Sequence, residues 1–86
     1  MCAMPLIVPP HVAVQFAAMP RHDANRLRER LERIAADPMA PQPGVRPLVG
    51  LPGRYRVRQG DWRAVYTIRD GNVIVALVGN RKEVYR

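Results

Sequence analysis

The sequence predicts an α+β fold: a short N-terminal strand, a two-helix hairpin and then a three-stranded antiparallel meander. Two stretches of helical periodicity lie in the first half of the chain, and three stretches of strand type lie in the second. The dipeptide Asp70-Gly71 between the last two strands is a strong hairpin signal. We expect residues 1–86 to form one domain in which the helices pack on one face of the sheet.

The N-terminal third contains a strand and a short helix. The segment "PLIVPP" predicts a strand over Leu6 to Val8, and the prolines that flank it favour an edge position. A helix is predicted over His11 to Met19, since Val12, Phe16 and Met19 recur at spacings of four and three. Pro20 ends this helix.

The segment "RHDANRLRERLERIAADP" predicts the longest helix. Asp23 is the expected N-cap, and Pro38 stops the helical pattern after Asp37. Arginines and glutamates at spacing four, such as Arg28 and Glu32, predict a solvated face. One apolar stripe is expected to reach the core: Leu27, Leu31, Ile34 and Ala35.

A linker rich in proline and glycine follows, "MAPQPGVRPLVGLPG", and no helix is expected in it. We expect Leu48, Val49 and Leu51 to tuck beneath this linker. The meander strands are then "RYRVRQ", "WRAVYTIR" and "NVIVALVGN". Two-residue turns at Gly60-Asp61 and Asp70-Gly71 connect them.

These turns predict which side chains share a face, because side chains alternate along a strand. Arg58 then lies opposite Arg63, Val65 opposite Ala76, and Arg63 opposite Val78. The core face is predicted to hold Tyr55, Val57, Trp62, Ala64, Tyr66, Ile68, Val73, Val75 and Leu77. The open face is predicted to hold Arg54, Arg56, Arg58, Arg63 and Asn80 around a floor of Val65, Ala76 and Val78.

The net charge of +7 and the isoelectric point of about 11.1 favour a polyanionic partner. Nearly all of the surplus charge lies in residues 44–86. Arg58 directly opposite Arg63 is a destabilising pair, and almost no acid is mixed into the predicted open face. One interpretation is a solvated face with long arginine stems lying along it. The other, which we favour, is a face that binds phosphate.

Standard catalytic groups are scarce. The chain has no serine and a single threonine, Thr67, while His11 and His22 lie near helix starts, away from the basic face. No metal-ligand spacing and no phosphate-binding glycine loop occur, so we expect no metal and no cofactor. The start "MCAMPLIVPP" resembles neither a signal peptide nor a membrane span. One cysteine, Cys2, fits a reducing compartment, and we expect a cytoplasmic protein.

One reaction needs none of these groups. RNA supplies its own nucleophile in the 2′-hydroxyl, and the enzyme has only to align it, stabilise the charge of the transition state and move protons. Arginine suits the stabilising role. Tyr85 is a candidate for the proton transfer, although a C-terminal aromatic that covers the sheet edge is an equally ordinary interpretation.

Two segments, "GLPGRYRVRQGDWRAVYTI" and "VALVGNRKEVY", resemble the RelE/ParE superfamily of bacterial and archaeal toxins. The usual pattern of that superfamily is Leu-x-Gly-Leu-x-Gly, Tyr-Arg-Val-Arg, Gly-Asp-Tyr-Arg and Gly-His-Arg-x-x-Val-Tyr. The strand and the helix pair upstream fit the order of elements in the superfamily. The resemblance therefore implies a RelE/ParE-like toxin domain, and within it the RelE-like branch of mRNA interferases.

Members that resemble RelE cleave messenger RNA on the ribosome without metal, and a cognate antitoxin blocks them. The resemblance therefore implies messenger RNA on the ribosome and an antitoxin as partners, with no membrane and no small-molecule cofactor. It also implies catalytic roles for five residues: Arg56, Arg58, Arg63, Arg81 and Tyr85. Substrate contacts are expected from Arg54, Asn80 and Lys82.

Asn80 stands where the superfamily usually has histidine, so the resemblance does not identify the general acid. Three alternatives stay open. A ParE-like toxin acts on DNA gyrase by protein contact, a binding module holds RNA without cutting it, and a degenerate toxin retains only its antitoxin.

Overall fold

The computed structural model describes residues 3–50 and 53–80. Two helices and five strands occur in them. In chain order they are β1 (Leu6–Ile7), α1 (Pro10–Ala17), α2 (Arg21–Ala36), β2 (Val45–Pro47), β3 (Arg54–Gln59), β4 (Trp62–Arg69) and β5 (Asn72–Asn80). None of the helices in this part of the chain is long and apolar enough to span a membrane.

The strands form one sheet in the order β1-β5-β4-β3-β2. Strand β1 pairs with β5 in parallel at one edge, and the other neighbours are antiparallel. Both helices pack on the same face of the sheet. The predicted α+β class, the edge strand and the meander are confirmed. Strand β2, which extends the meander at the other edge, is not predicted by the sequence.

Helix α2 supplies the largest apolar contribution from the helical layer. Its predicted stripe is confirmed, since all four of its members are buried. The predicted N-cap is wrong. The helix begins at Arg21 after Pro20, and Asp23 lies in the first turn without a capping hydrogen bond. Proline suits this start, since its extended conformation leads into the helix and it has no N–H to satisfy.

The core lies between the helices and one sheet face. Tyr66 is the largest fully buried side chain, and its ring stacks on that of Tyr55 with the centroids 5.5 Å apart. Burial raises the pKa of Tyr66 to about 12, with a smaller contribution from Tyr55. The rest of the core cluster is aliphatic: Val12, Met19, Leu27, Leu31, Ile34, Ala35, Val57, Ala64, Val73, Val75 and Val78.

A β-bulge in β5 makes part of the predicted register wrong. The two-residue turn at Asp70-Gly71 is present, with positive φ values of 52° and 77° that suit these residues. Pairing is as predicted from Arg69 to Thr67, but the register then shifts, so that Val65 faces Leu77 and Arg63 faces Gly79. The extra residue, Ala76, reverses the alternation beyond it.

The bulge exchanges residues between the two faces. Val78 joins the core instead of the open face, and Leu77 leaves the predicted core. Side chains of helix α1 supply hydrogen-bond partners to backbone groups of β5 beside the bulge. His11 Nε2 donates to the carbonyl of Ala76 at 2.8 Å, and the N–H of Val78 donates to Gln15 Oε1 at 2.7 Å. Residues four apart lie on the same side of a helix, so α1 serves both groups at once.

Gln15 should therefore contribute more to the stability of the fold than an ordinary helix residue. We expect Gln15→Ala to lower the free energy of unfolding by about 1–2 kcal/mol, because the amide of Val78 loses its acceptor. Urea denaturation measures this. The control is Val14→Ala on the same helix, where the side chain is exposed. Equal stability of the two variants would mean that water satisfies Val78.

Stability should also depend on Tyr66 at high pH. The folded protein raises the pKa of Tyr66 above the ordinary value near 10, so folding favours the neutral hydroxyl. This contribution is complete below pH 10 and is lost as the pH rises toward 12. Urea denaturation between pH 9 and pH 12 should show a smaller loss of stability for Tyr66→Phe than for the native chain. Parallel curves would contradict the burial of the hydroxyl.

Candidate functional site

Every arginine in the described strands projects from the sheet face opposite the helices. Arg58 pairs with Arg63, Arg56 pairs with Arg46 on one side and with Val65 on the other, and Arg54 pairs with Thr67. Directly paired residues point to the same side of a sheet. We call this surface the arginine face; its arginines are Arg46, Arg54, Arg56, Arg58, Arg63 and Arg69.

Almost nothing in the described strands neutralises this charge. None of their residues is acidic, and the nearest acids in sequence, Asp61 and Asp70, belong to the turns. Asp70 approaches Arg69 at 3.8 Å, but both side chains are largely exposed, so the pair contributes little. The face therefore carries a strong positive potential that favours anions.

Arg58 and Arg63 form the rung beside the β3–β4 turn, and their side chains behave differently. Arg58 is exposed, whereas Arg63 is only 4% exposed. The guanidinium of Arg63 folds back over its own turn, and Nη1 donates to the carbonyls of Gly60 and Trp62, each at 3.0 Å. Arg63 lies on the predicted side of the sheet, but the prediction that it is open to solvent is wrong, because its side chain is buried against the turn.

No acid within the described part of the chain balances the charge of Arg63. Its Nε is buried and has no hydrogen-bond partner, and residues 3–50 and 53–80 give it no salt bridge. A buried cation without a counter-charge is unfavourable. An anion held by Arg58 above it would relieve this cost.

The linker and α2 hold the backbone of Arg58 in place. The Arg58 N–H donates to the carbonyl of Gly44 at 3.1 Å. A Cβ at Gly44 would lie 3.0 Å from the carbonyl oxygen of Arg58, and φ there is +75°, so only glycine fits well. Arg30 in α2 donates through Nη1 to Gln59 Oε1 at 3.0 Å and through Nη2 to the carbonyl of Pro43. Arg58 therefore projects from a braced strand end.

Sequence reasoning missed Arg46, which lies directly opposite Arg56. The segment around it has too many prolines to read as a strand. Pro47 is tolerated because β2 is an edge strand and Pro47 is its last residue. One sequence feature could have indicated this strand: the triplet Val45-Arg46-Pro47, which directly follows Gly44 and has a composition that permits a short edge strand.

Asn80 does not lie on the arginine face. It pairs with Trp62 and faces the helical layer, where it lines a cavity with Gln15 of α1 and with Met19 just after that helix. The bulge at Ala76 causes this, since without it Asn80 would share a side with Arg63. The remaining predicted residues, Arg81, Lys82 and Tyr85, lie outside the described part of the chain, and their roles stay predictions.

Within the described residues, no three side chains of the histidine, cysteine, aspartate and glutamate types come close enough to hold a metal ion. The chemistry that this part of the molecule offers is therefore that of arginine. A guanidinium is permanently charged and matches the oxygens of phosphate with two parallel donors.

The family model described as the ParE toxin of type II toxin–antitoxin systems matches residues 9–85. The chain belongs to this family. The resemblance to the RelE/ParE superfamily is thereby confirmed, and the chain is a toxin of the type II toxin–antitoxin class. No curated protein sequence matches it significantly.

Solved toxin structures share its fold. The isolated RelE toxin of E. coli is 24% identical, with a TM-score of 0.79 and coverage of 96% of this chain and 92% of that one. RelE in the RelB–RelE complex of Methanococcus jannaschii is 17% identical, with a TM-score of 0.77 and coverage of 92% and 94%. A chain of the E. coli DinJ–YafQ complex is 19% identical, with a TM-score of 0.74 and full coverage of both chains. At these identities the likeness concerns the fold alone.

The rung of Arg58 and Arg63 should lower the stability of the toxin. We expect Arg58→Gln to raise the free energy of unfolding by about 0.2–1 kcal/mol at low salt, because it removes the repulsion from Arg63. The gain should shrink only in part in about 1 M salt, because salt screens the exposed charge of Arg58 far better than the buried charge of Arg63.

Urea denaturation at two salt concentrations measures this effect. The control is Arg26→Gln on α2, where an exposed arginine of the same charge lies on the helical side. A gain of equal size in the control would show that the effect comes from the lower net charge and not from the repulsion between Arg58 and Arg63.

Proposed function

We propose that this toxin is a ribosome-dependent endoribonuclease that cleaves messenger RNA without a metal, using the 2′-hydroxyl of the substrate as nucleophile. The observation that carries the proposal is the arginine face, where six arginines share one side of the sheet with no acidic residue in the described strands. Phosphate is the ligand that this arrangement suits best.

The rung beside the β3–β4 turn is the proposed position of the scissile phosphate. Arg58 is exposed and projects from a braced strand end, so it donates to the non-bridging oxygens. Arg56 lies two residues away on the same face and reaches the same group. Charge fixed in advance stabilises a transition state without reorganisation, and that is the role proposed for both residues.

Arg63 contributes from beneath. Its guanidinium is fixed by the carbonyls of Gly60 and Trp62, so its charge acts on the phosphate from a constant position. Arg81 is proposed to complete the set of cations, and Tyr85 to transfer a proton from the 2′-hydroxyl. Arg54 and Lys82 are proposed to hold flanking parts of the RNA.

A cognate antitoxin is the proposed regulator. The RelE chain of Methanococcus jannaschii and the YafQ chain of E. coli were solved in complexes with RelB and DinJ. An acidic segment of an antitoxin on the arginine face would supply the negative charge that the described strands lack. Such a segment and the messenger RNA would then compete for the same arginines.

Inhibition of DNA gyrase is the second candidate, because the matching family model is that of ParE. It would require a surface that contacts a protein instead of a phosphate chain.

Translation with purified ribosomes and a defined messenger RNA separates the two candidates. The native toxin should cut the message at the ribosome, as mapped by primer extension. Tyr85→Phe should slow cutting by about 100-fold or more, which is the usual contribution of a general acid or base. Arg58→Gln should also lose cutting, whereas Arg26→Gln on the helical side should keep it.

A supercoiling assay with gyrase runs in parallel. Inhibition of supercoiling with an intact message would replace the proposal with the gyrase candidate. An intact message bound in a salt-sensitive complex would reduce the toxin to a binding module.

A further inference from the structure

A cavity of about 530 Å³ lies beside the proposed catalytic rung, at the β2 edge of the arginine face. Strand β2 creates it by placing Arg46 opposite Arg56. Its walls combine two arginines with a short apolar segment: Arg46, Pro47, Leu48, Val49 and Arg56. Such a mixture suits a ligand that carries both a negative charge and an apolar part.

Arg46 carries a positive charge that could bind a ligand, and its side chain contributes little to the fold. Its side chain is exposed, and it forms no salt bridge within residues 3–50 and 53–80. Its direct neighbour across the strands is another arginine, Arg56. A phosphate between the two side chains would accept hydrogen bonds from Arg46 and lie close to the charge of Arg56.

Val49 is the apolar part of the cavity. It is fully exposed, so the prediction that it tucks beneath the linker is wrong. The neighbouring backbone is fixed nonetheless, because the N–H of Leu48 donates to the carbonyl of Arg54 at 2.9 Å. The exposed side chain of Val49 beside two cations offers an apolar contact to a ligand bound in the cavity.

The spacing of the two rungs indicates the ligand. Arg58 and Arg56 are two residues apart on one strand, which separates their rungs by about 7 Å. This is comparable to the distance between consecutive phosphates of an extended RNA strand. A strand whose scissile phosphate lies at Arg58 thus places a neighbouring phosphate at Arg56 and Arg46.

We propose that this cavity is a subsite for the nucleotide next to the scissile phosphate of single-stranded RNA. Arg46 binds its phosphate, Arg56 lies between this phosphate and the scissile one and contacts both, and Val49 with Leu48 contacts its ribose or base. The proposal rests on the proposed ribonuclease function, because that function sets the position of the scissile phosphate. It adds a residue, Arg46, that neither the sequence patterns nor the superfamily motifs identified.

Binding of a short RNA that cannot be cut tests the proposal. The probe is a hexamer of 2′-O-methyluridine with a fluorescent label, and anisotropy gives its affinity for the full chain between about 50 and 200 mM salt. Arg46→Ala should weaken binding about threefold. It should also make the salt dependence shallower by about 0.7 in the slope of log K against log salt, since one phosphate contact is lost.

Two variants serve as controls. Val49→Ser should weaken binding without changing the slope, because it removes an apolar contact and no charge. Arg26→Ala, with an exposed arginine on α2, should leave the slope unchanged. A dimer of 2′-O-methyluridine, which has a single phosphate, should bind the native chain and Arg46→Ala alike. Circular dichroism confirms that each variant is folded.

The outcomes separate this proposal from the one on which it rests. If the native chain binds the hexamer and Arg46→Ala behaves as Arg26→Ala, the subsite is overturned and the ribonuclease proposal survives. If the native chain does not bind the hexamer at 50 mM salt, the subsite is overturned, and the ribosome assay above decides the ribonuclease proposal separately. If Arg46→Ala weakens binding of a labelled glutamate hexapeptide and leaves RNA binding unchanged, the cavity belongs to an acidic protein partner instead.

Discussion

Two like charges face each other where β3 turns into β4, and the rest of the molecule is arranged around that pair. A two-residue turn fixes Arg58 opposite Arg63, and neither charge has an acidic partner in the described residues. The fold must hold them against their repulsion. It does so by fastening one guanidinium to the carbonyls of the turn and by bracing the backbone of the other against Gly44.

The bulge in β5 connects this pair to the core. Strand β4 stays regular, so its arginines remain on one side, while the extra residue in β5 sends Val78 into the core. The same shift places Gly79 opposite Arg63. The bulge thus adds an apolar residue to the core on one face and sets a glycine opposite the buried Arg63 on the other. Helix α1 meets the hydrogen-bonding needs that it creates.

The sequence predicted what depends on local periodicity and failed where tertiary contacts decide. The stripe of α2 and the pairing of β3 with β4 follow from spacing and turn length, and both were predicted correctly. A register deduced from turn length assumes regular pairing, so it missed the bulge. The positions of Asn80 and Val78 were therefore predicted wrongly as well. Strand β2 was missed because proline is permitted in an edge strand but is evidence against a strand in general. The burial of Arg63 depends on which rotamer the turn carbonyls stabilise, and no sequence pattern encodes that.

The proposed function has two candidate targets, RNA and gyrase, and the physical character of the arginine face favours the first. The centre of a protein–protein interface is usually depleted in charge and built around apolar anchors. Here the centre of the face is charged, and its apolar floor residue Val65 is only 7% exposed, so the face offers little apolar surface to a partner such as gyrase, whereas an acidic antitoxin segment would bind it through charge. Nucleic-acid interfaces are more polar and far more positive. The charged centre of the arginine face therefore supports the proposal of an RNA target over that of gyrase.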